Sequence, residues 1–150
     1  ANENLIFGYH HQEPFSKSSI LQEKNILSFS KKVMGEYDVR PNAPNLITSN
    51  FSGGNQQKII LSRELNKNPK VLLVGQPTRG VDIGAIEFIH QRLIDMRDKG
   101  AAILLVSVEL EEVLSLSDRI VVMFDGNIVG EKVNKNVTDR ELGLLMAGVV

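Results

Sequence analysis

The chain contains no cysteine among its 150 residues, and aromatic side chains make up only 5% of it. The absence of cysteine excludes disulfides and thiolate chemistry, but it does not identify a cellular compartment. No apolar run is long enough to span a bilayer, and the opening residues do not form a secretory signal. The formal net charge of −1 provides no basic field, so we expect no nucleic-acid partner.

The composition that remains is typical of a globular domain. Hydrophobic residues account for 42% and charged residues for 23%, and 150 residues are enough for one domain with a real core. Residue 1 is alanine, and the chain opens in the middle of a pattern. We therefore expect the sequence to be an excised segment of a longer polypeptide.

The first third of the chain has helical patterns and no clear strand. Asn2 to Tyr9 predicts a short helical turn, and apolar residues recur at helical spacing from Ser19 to Tyr37. Pro41 and Pro44 then predict an extended connector. We interpret residues 1–50 as a helical subdomain.

The remaining two thirds alternate between strands and helices. Short apolar runs predict strands that are buried on both faces of a parallel sheet. Asp125-Gly126-Asn127 predicts a hairpin turn, and Thr138-Asp139-Arg140-Glu141 predicts a capping box at the last helix. The order predicts an α/β fold with a parallel core. The predicted elements are helix 53–66, strand 71–74, a helix from Asp82 or Gly84 to Lys99, strand 101–106, helix 110–116, strand 119–124, strand 128–133 and the final helix.

The most informative stretch is the run NFSGGNQQK, in which a hydroxyl and two glycines open a helix. The first-turn amides of a helix have no intrahelical partners, and the helix dipole makes that end positive. Glycines at this place let a phosphate approach the amides. Taken alone, a Ser-Gly-Gly start is usually an ordinary helix cap. In this context we predict that the phosphate contacts are made by Ser52, Gly53 and Gly54, with Asn55 and Gln56 as polar neighbours.

The full run resembles the signature motif of ABC-type ATPases, in the form seen in sugar and nucleoside importers. The later strings QPTRGVDIGAIEFIH and LLVSVELEE resemble the second of two fused ATPase halves in the nucleoside branch. NLIFGYHHQEPFSK is similar to the start of that half's helical subdomain. The resemblance implies a RecA-like P-loop NTPase core with parallel strands and a helical subdomain. Residues 51–150 then comprise the signature helix and the C-terminal part of that core.

Two departures from the family pattern affect hydrolysis. GxxxxGK[ST] does not occur in the 150 residues, so we expect the phosphate loop to lie upstream. The resemblance places Gly75 and Gln76 where the family has the Asp that helps to hold Mg²⁺ and the Glu that polarises the attacking water. Gln76 can orient water but cannot take its proton, so we expect this catalytic position to be impaired. Val108 stands where the family has its switch histidine.

The family arrangement reconciles an intact signature with a degenerate catalytic position. Two halves pair head to tail, and each ATP site uses the phosphate loop of one half and the signature of the other. The resemblance implies that this chain supplies its signature to the partner's site, with Asp82 in the shared interface. It implies ATP and Mg²⁺ as cofactors of the full assembly, bound only weakly by this chain, which alone should not hydrolyse ATP. The implied ATP-binding residues are Ser52, Gly53, Gly54, Asn55, Gln56 and Asp82.

The implied partners are another ATPase half and membrane permease subunits, at the cytoplasmic face of a bacterial plasma membrane. The absence of upstream strands also predicts an exposed sheet edge and self-association. Two alternatives stay open: a regulatory half that docks to a permease without nucleotide turnover, and an ABC ATPase that does not act in transport.

Other polar groups have simpler interpretations. We expect no metal site, because adjacent His10 and His11 lie in a polar segment without a third ligand at helical spacing, and His90 fits a helix surface. The acidic cluster Glu109, Glu111 and Glu112 favours the N-terminus of a short helix. Arg79 is expected to be a solvated loop charge.

Overall fold

The computed structural model describes residues 1–149, which divide into two compact units. The first comprises Ala1–Leu72 and Pro77–Ala102, and the second comprises Leu73–Gln76 and residues 103–149. The signature helix belongs to the first unit together with the opening helices. The proposed domain boundary near residue 50 stays a prediction.

Helices dominate the first unit. They are α1 (Asn2–Leu5), α2 (Glu23–Glu36), a short 3₁₀ segment (Thr48–Asn50), α3 (Gly53–Leu65) and α4 (Ile83–Asp98), with a small hairpin of β1 (Ser16–Lys17) and β2 (Ile20–Leu21). Helix α3 packs against α1, α2 and α4. The prediction of helical structure from Ser19 was wrong at its start, because Ile20 and Leu21 pair with Lys17 and Ser16 before α2 begins.

An aromatic cluster forms part of the core of this unit. Ile6, Phe15 and Ile26 are buried there, and the Phe15 and Phe29 rings meet edge to face with centroids 4.8 Å apart. Tyr9 packs on the same cluster. Burial of these rings fixes the loop between α1 and the hairpin against α2.

The strands β3 (Val71–Gly75) and β4 (Ala102–Val106) pair in parallel, as predicted. At their start the Lys70 carbonyl accepts from the Ala102 amide at 2.9 Å, and at their end the Gln76 amide donates to the Val106 carbonyl at 2.8 Å. Because the starts of the two strands are bonded to each other, and so are their ends, both strands run in the same direction.

The expectation that these strands are buried on both faces was wrong. Leu73 is 74% exposed, Leu104 is 59% exposed and Val106 is 58% exposed, whereas Leu72 is buried. Alternate residues of a strand point to opposite faces, so one face of the pair is apolar and open.

In the rest of the second unit, two helices pack against a β-hairpin. Its elements are α5 (Leu110–Leu116), β5 (Arg119–Phe124), β6 (Asn127–Val133) and α6 (Asp139–Met146). Phe124 pairs with Asn127, so Asp125 and Gly126 form the two-residue turn, and both have positive φ as a type I′ turn requires. The predicted capping box of Thr138 and Glu141 is confirmed. The core contains Ile120, Val122 and Leu142.

Two fully buried serines of the first unit differ in their hydrogen bonding. The Ser62 hydroxyl donates to the Ile59 carbonyl at 2.8 Å, whereas the Ser30 hydroxyl has no hydrogen-bond partner within residues 1–149. We expect Ser62→Ala to lower the free energy of unfolding by about 1 kcal/mol. Ser30→Ala should leave it unchanged or raise it, because it removes an unpaired polar group. Urea unfolding of the two variants tests this, and a larger loss for Ser30→Ala would contradict it.

The open apolar face of β3 and β4 predicts self-association of the chain. We expect dimers or larger species by light scattering at millimolar concentration, and Leu73→Lys with Leu104→Lys should lower the mean mass. Ile47→Lys is the matched control, because Ile47 is 68% exposed and lies in a loop of the other unit. A clean monomer of the unaltered chain, or an equal effect of the control, would refute the prediction.

Candidate functional site

The predicted phosphate contacts lie at the beginning of α3. Ser52 occupies the N-cap position, and its carbonyl accepts from the Gln56 amide at 2.9 Å. The amides of Gly53, Gly54 and Asn55 form no hydrogen bond within residues 1–149. A 13-residue helix therefore begins with three unpaired amides, at the end where its dipole is positive. Ser52 and Gly53 are exposed beside them.

The Ser52 hydroxyl does not cap the helix in the usual way. It makes no bond to a first-turn amide and instead accepts from the Asn55 side-chain amide at 2.9 Å. The Asn55 side-chain oxygen accepts from the Arg40 backbone amide at 2.8 Å. Gln56 donates from its side chain to the Phe51 carbonyl at 2.7 Å. Both polar neighbours of the glycines are therefore bonded within the protein.

The two glycines are also needed for packing against the loop before α4. A Cβ on Gly53 would lie 3.2 Å from the Gly80 carbonyl oxygen, and a Cβ on Gly54 would lie 3.2 Å from both the Asp82 carboxylate and the Ala85 Cβ. Sequence reasoning assigned the glycines to phosphate access alone. The structure adds a second reason, since a Cβ at either position would make an unusually tight contact and the neighbouring atoms would have to shift by a few tenths of an ångström.

Asp82, one of the two predicted starts, begins α4. It is the N-cap residue, and its carboxylate accepts from the Ala85 amide at 2.9 Å. The other carboxylate oxygen faces Gly54. The first unit thus brings Asp82 together with the start of the signature helix.

A charged turn that sequence reasoning missed lies along α3. Arg40 donates to the Asp38 carboxylate at 2.7 Å, and the Lys58 ammonium lies 3.3 Å from the same carboxylate. The hydrogen bond from Arg40 is the largest influence that lowers the pKa of Asp38 below its ordinary value. Lys58 also lies 4.9 Å from the centre of the Phe88 ring. The Asp-x-Arg spacing after a helix was the only sequence signal for this turn.

The position predicted to be catalytic belongs to the second unit. Gln76 follows β3 with a φ of +50°, a left-handed conformation that is uncommon for a residue with a side chain. Gly75 has open space around it, and Val108 is 62% exposed after β4. None of these three residues carries a carboxylate or an imidazole. Their chemical roles stay predictions.

The remaining polar groups do not form a metal site in the described part of the chain. Residues 1–149 contain no group of three His, Cys, Asp or Glu side chains that could hold a metal ion. Glu111 and Glu112 lie in the first turn of α5, as predicted for the acidic cluster, and Arg79 is exposed. No helix in the same range has the length and apolar character to cross a membrane.

Comparison with known sequences finds relatives among import ATP-binding proteins. No protein-family model matches the chain. Over 146 residues the chain is 45% identical to the guanosine import ATP-binding protein NupO of Bacillus subtilis. It is 47% identical, again over 146 residues, to the nucleoside import ATP-binding protein NupA of Lactococcus lactis. The chain is homologous to a segment of each of these two import ATP-binding proteins. These alignments include 97% of the chain, which spans only 29% of the length of either relative.

A more distant relative and two solved structures agree. The ribose import ATP-binding protein RbsA of Streptococcus agalactiae is 39% identical over 134 residues, which are 89% of this chain and 27% of that protein. The ATP-binding cassette MJ0796, solved as a dimer with ADP and phosphate, has a TM-score of 0.67 at 22% identity, over 82% of this chain and 53% of that one. An ATP-binding subunit of an ABC transporter has a TM-score of 0.73 at 18% identity, over 97% and 61%. These structures establish the ABC ATPase fold.

The close approach of Gly54 to Asp82 and Ala85 gives a test of this packing. We expect Gly54→Ala to lower the free energy of unfolding by about 1 kcal/mol, because α4 must shift to admit a methyl group. Gly84→Ala is the matched control: its Cβ would meet only a carboxylate oxygen at 3.6 Å. That substitution should raise stability by about 0.5–1 kcal/mol through helix propensity. Equal effects of the two substitutions in denaturant unfolding would contradict the packing role.

Proposed function

We propose that this chain supplies the signature motif to an ATP site that it shares with a second ATPase half. The observation that carries the proposal is the start of α3, where three unpaired amides and the Ser52 hydroxyl are presented together. Backbone amides at a helix N-terminus bind phosphate oxygens, and the helix dipole strengthens that binding. The terminal phosphate of an ATP held by the other half is the anion that this arrangement suits.

The cleavage chemistry belongs to the other half. Gln76 lacks the basicity to take a proton from water, and the position of Val108 offers no hydrogen bond to a phosphate. The residue present does not fit the family's Mg²⁺ position either, since Gly75 has no carboxylate to offer the ion. ATP would therefore be held with its Mg²⁺ by the phosphate loop of the partner half. The amides of Gly53, Gly54 and Asn55 would bind the terminal phosphate and close the two halves together.

Asp82 is assigned to the interface between the halves. It is exposed, and its loop packs against the glycines of the signature turn. A partner that approaches the phosphate-binding amides would therefore also meet the Asp82 loop.

We infer the biological role of the native protein from the names of its relatives. NupO and NupA are named for guanosine and nucleoside import, and RbsA for ribose import. We infer that the native protein energises the import of nucleosides or simple sugars in a bacterium. It would act at the cytoplasmic face of the plasma membrane on permease subunits, with this chain as the later portion of a second ATPase half.

The proposal predicts that Ser52→Arg or Gly54→Asp in the full-length protein abolishes solute uptake and ATP turnover. A bulky cation or an anion at these places blocks the approach of the phosphate to the amides. Ser49→Arg is the matched control, because Ser49 is exposed three residues before Ser52 and lies in the 3₁₀ segment that precedes α3. Uptake in membrane vesicles and phosphate release are measured for each variant. The chain alone should release no phosphate above background.

Each alternative has a distinct result. Uptake that survives Ser52→Arg would favour a half that only docks to the permease. Failure of the native protein to co-purify with a permease would favour an ABC ATPase outside transport. Turnover by the isolated chain would contradict the assignment of cleavage to the other half.

A further inference from the structure

Asn55 joins the Arg40 backbone to the Ser52 hydroxyl. Its side-chain oxygen accepts from the Arg40 amide at 2.8 Å, and its side-chain nitrogen donates to the Ser52 hydroxyl oxygen at 2.9 Å. A backbone N–H can only donate, so the group of Asn55 that faces Arg40 must be its oxygen. The Arg40 amide therefore fixes which end of the Asn55 side chain faces Ser52.

This orientation determines what the Ser52 hydroxyl can do. A serine hydroxyl has one hydrogen to donate and two lone pairs that accept. Asn55 donates to the oxygen, so it occupies a lone pair and leaves the hydrogen free. A phosphate oxygen of bound ATP is an acceptor, and it needs that hydrogen.

We propose that Asn55 is a positioning residue that holds Ser52 as a hydrogen-bond donor to the terminal phosphate of ATP. The inference rests on the proposed function and deepens it. Asn55 acts through the hydroxyl of Ser52, and its own side chain does not contact the nucleotide. This differs from the role expected from sequence, in which the Asn55 side chain is a polar neighbour of the phosphate.

The Arg40 amide is a firm anchor because the turn that contains it is bonded at several points. Asp38 has a φ of +48°, and the Val39 amide donates to the Met34 carbonyl at 2.8 Å, which is the Schellman ending of α2. Glycine is the usual residue at the left-handed position of that motif. Here the Asp38 carboxylate and carbonyl both bind Lys58 of α3, at 3.3 and 3.0 Å.

Two contacts therefore bind the end of α2 to one face of α3. Asn55 and Lys58 are three residues apart, so they are neighbours on the helix surface. The position of α2 against α3 is in this way linked to the orientation of the Ser52 hydroxyl. A displacement of α2 that breaks the Arg40–Asn55 bond would free the Asn55 side-chain amide to rotate. The Ser52 hydroxyl would then lose the donor that orients it.

A double-mutant cycle on ATP turnover tests the inference. The native full-length protein, assembled with its permease, is compared with Asn55→Ala, Ser52→Ala and the double variant. We expect Ser52→Ala to lower turnover about tenfold, through loss of a charge-assisted hydrogen bond, and Asn55→Ala about three- to tenfold. The double variant should match Ser52→Ala alone, because Asn55 has no hydroxyl left to position.

Two further variants separate positioning from folding. Asn55→Asp has nearly the same shape and still accepts from the Arg40 amide, but its carboxylate accepts the hydrogen of Ser52 and turns it away from the phosphate. It should lower turnover at least as much as Asn55→Ala, with an unchanged melting temperature. Asn42→Ala is the control, since the Asn42 side-chain amide donates to the Lys31 carbonyl at 3.1 Å and has no bond to Asn55 or Ser52, and its turnover should stay within about twofold of the native value.

The outcomes distinguish this inference from the function beneath it. If Ser52→Ala leaves turnover unchanged, the proposed function fails, and the inference fails with it. If Ser52→Ala lowers turnover and the losses multiply in the double variant, the proposed function stands and Asn55 does not act through Ser52. Native turnover in Asn55→Asp would also overturn the positioning role alone.

Discussion

The first turn of α3 has to remain open on one side while it is held on two others. The glycines allow the Gly80–Asp82 loop to approach from one direction at van der Waals distance. From another direction, the turn at Asp38 and Arg40 is bonded to Asn55 and Lys58. Amides with no partner are costly when buried. Ser52 and Gly53 are exposed and Asn55 is half-buried, whereas Gly54 is buried. The exposure of Ser52 and Gly53 leaves this side of the turn accessible to an anion.

Local rules predicted much of the fold, and they did so where neighbours in sequence determine the structure. The start of α3 at Gly53, the Asp82 cap, the Asp125-Gly126 turn and the Thr138 capping box depend on contacts within four residues, and the structure has all of them. The Ser16–Leu21 hairpin was missed because two-residue strands are too short to show a period. The exposure of Leu73 and Leu104 was missed because burial depends on what covers a strand, and its sequence does not contain that information.

The candidate site likewise has one part that the sequence predicts and another that only the fold reveals. The Ser-Gly-Gly motif was recognisable because its chemistry is carried by consecutive residues. The bond from Arg40 to Asn55 spans fifteen residues, and it arises only because α2 ends beside α3. The contact of Gly54 with Asp82 spans a strand and a loop. Sequence spacing predicts neither, so the groups that hold the motif in place emerge only from the fold.

The residues that hold the start of α3 and the residues at the acid, base and switch positions belong to different units. Arg40, Asp82 and Ala85, which hold the start of α3, all lie in the first unit. Gly75, Gln76 and Val108 lie in the second. None of the hydrogen bonds given above for Ser52 and Asn55 involves any of these three residues. Under the proposed function, selection on the signature acts through a phosphate held by another half, whereas selection on the acid, base and switch positions acts through cleavage at this half's own site. Under the same proposal, the second constraint can relax once a partner performs the cleavage, while the first persists. That asymmetry would account for an ordered signature turn in a chain with a glycine, a glutamine and a valine at the positions assigned to the acid, base and switch.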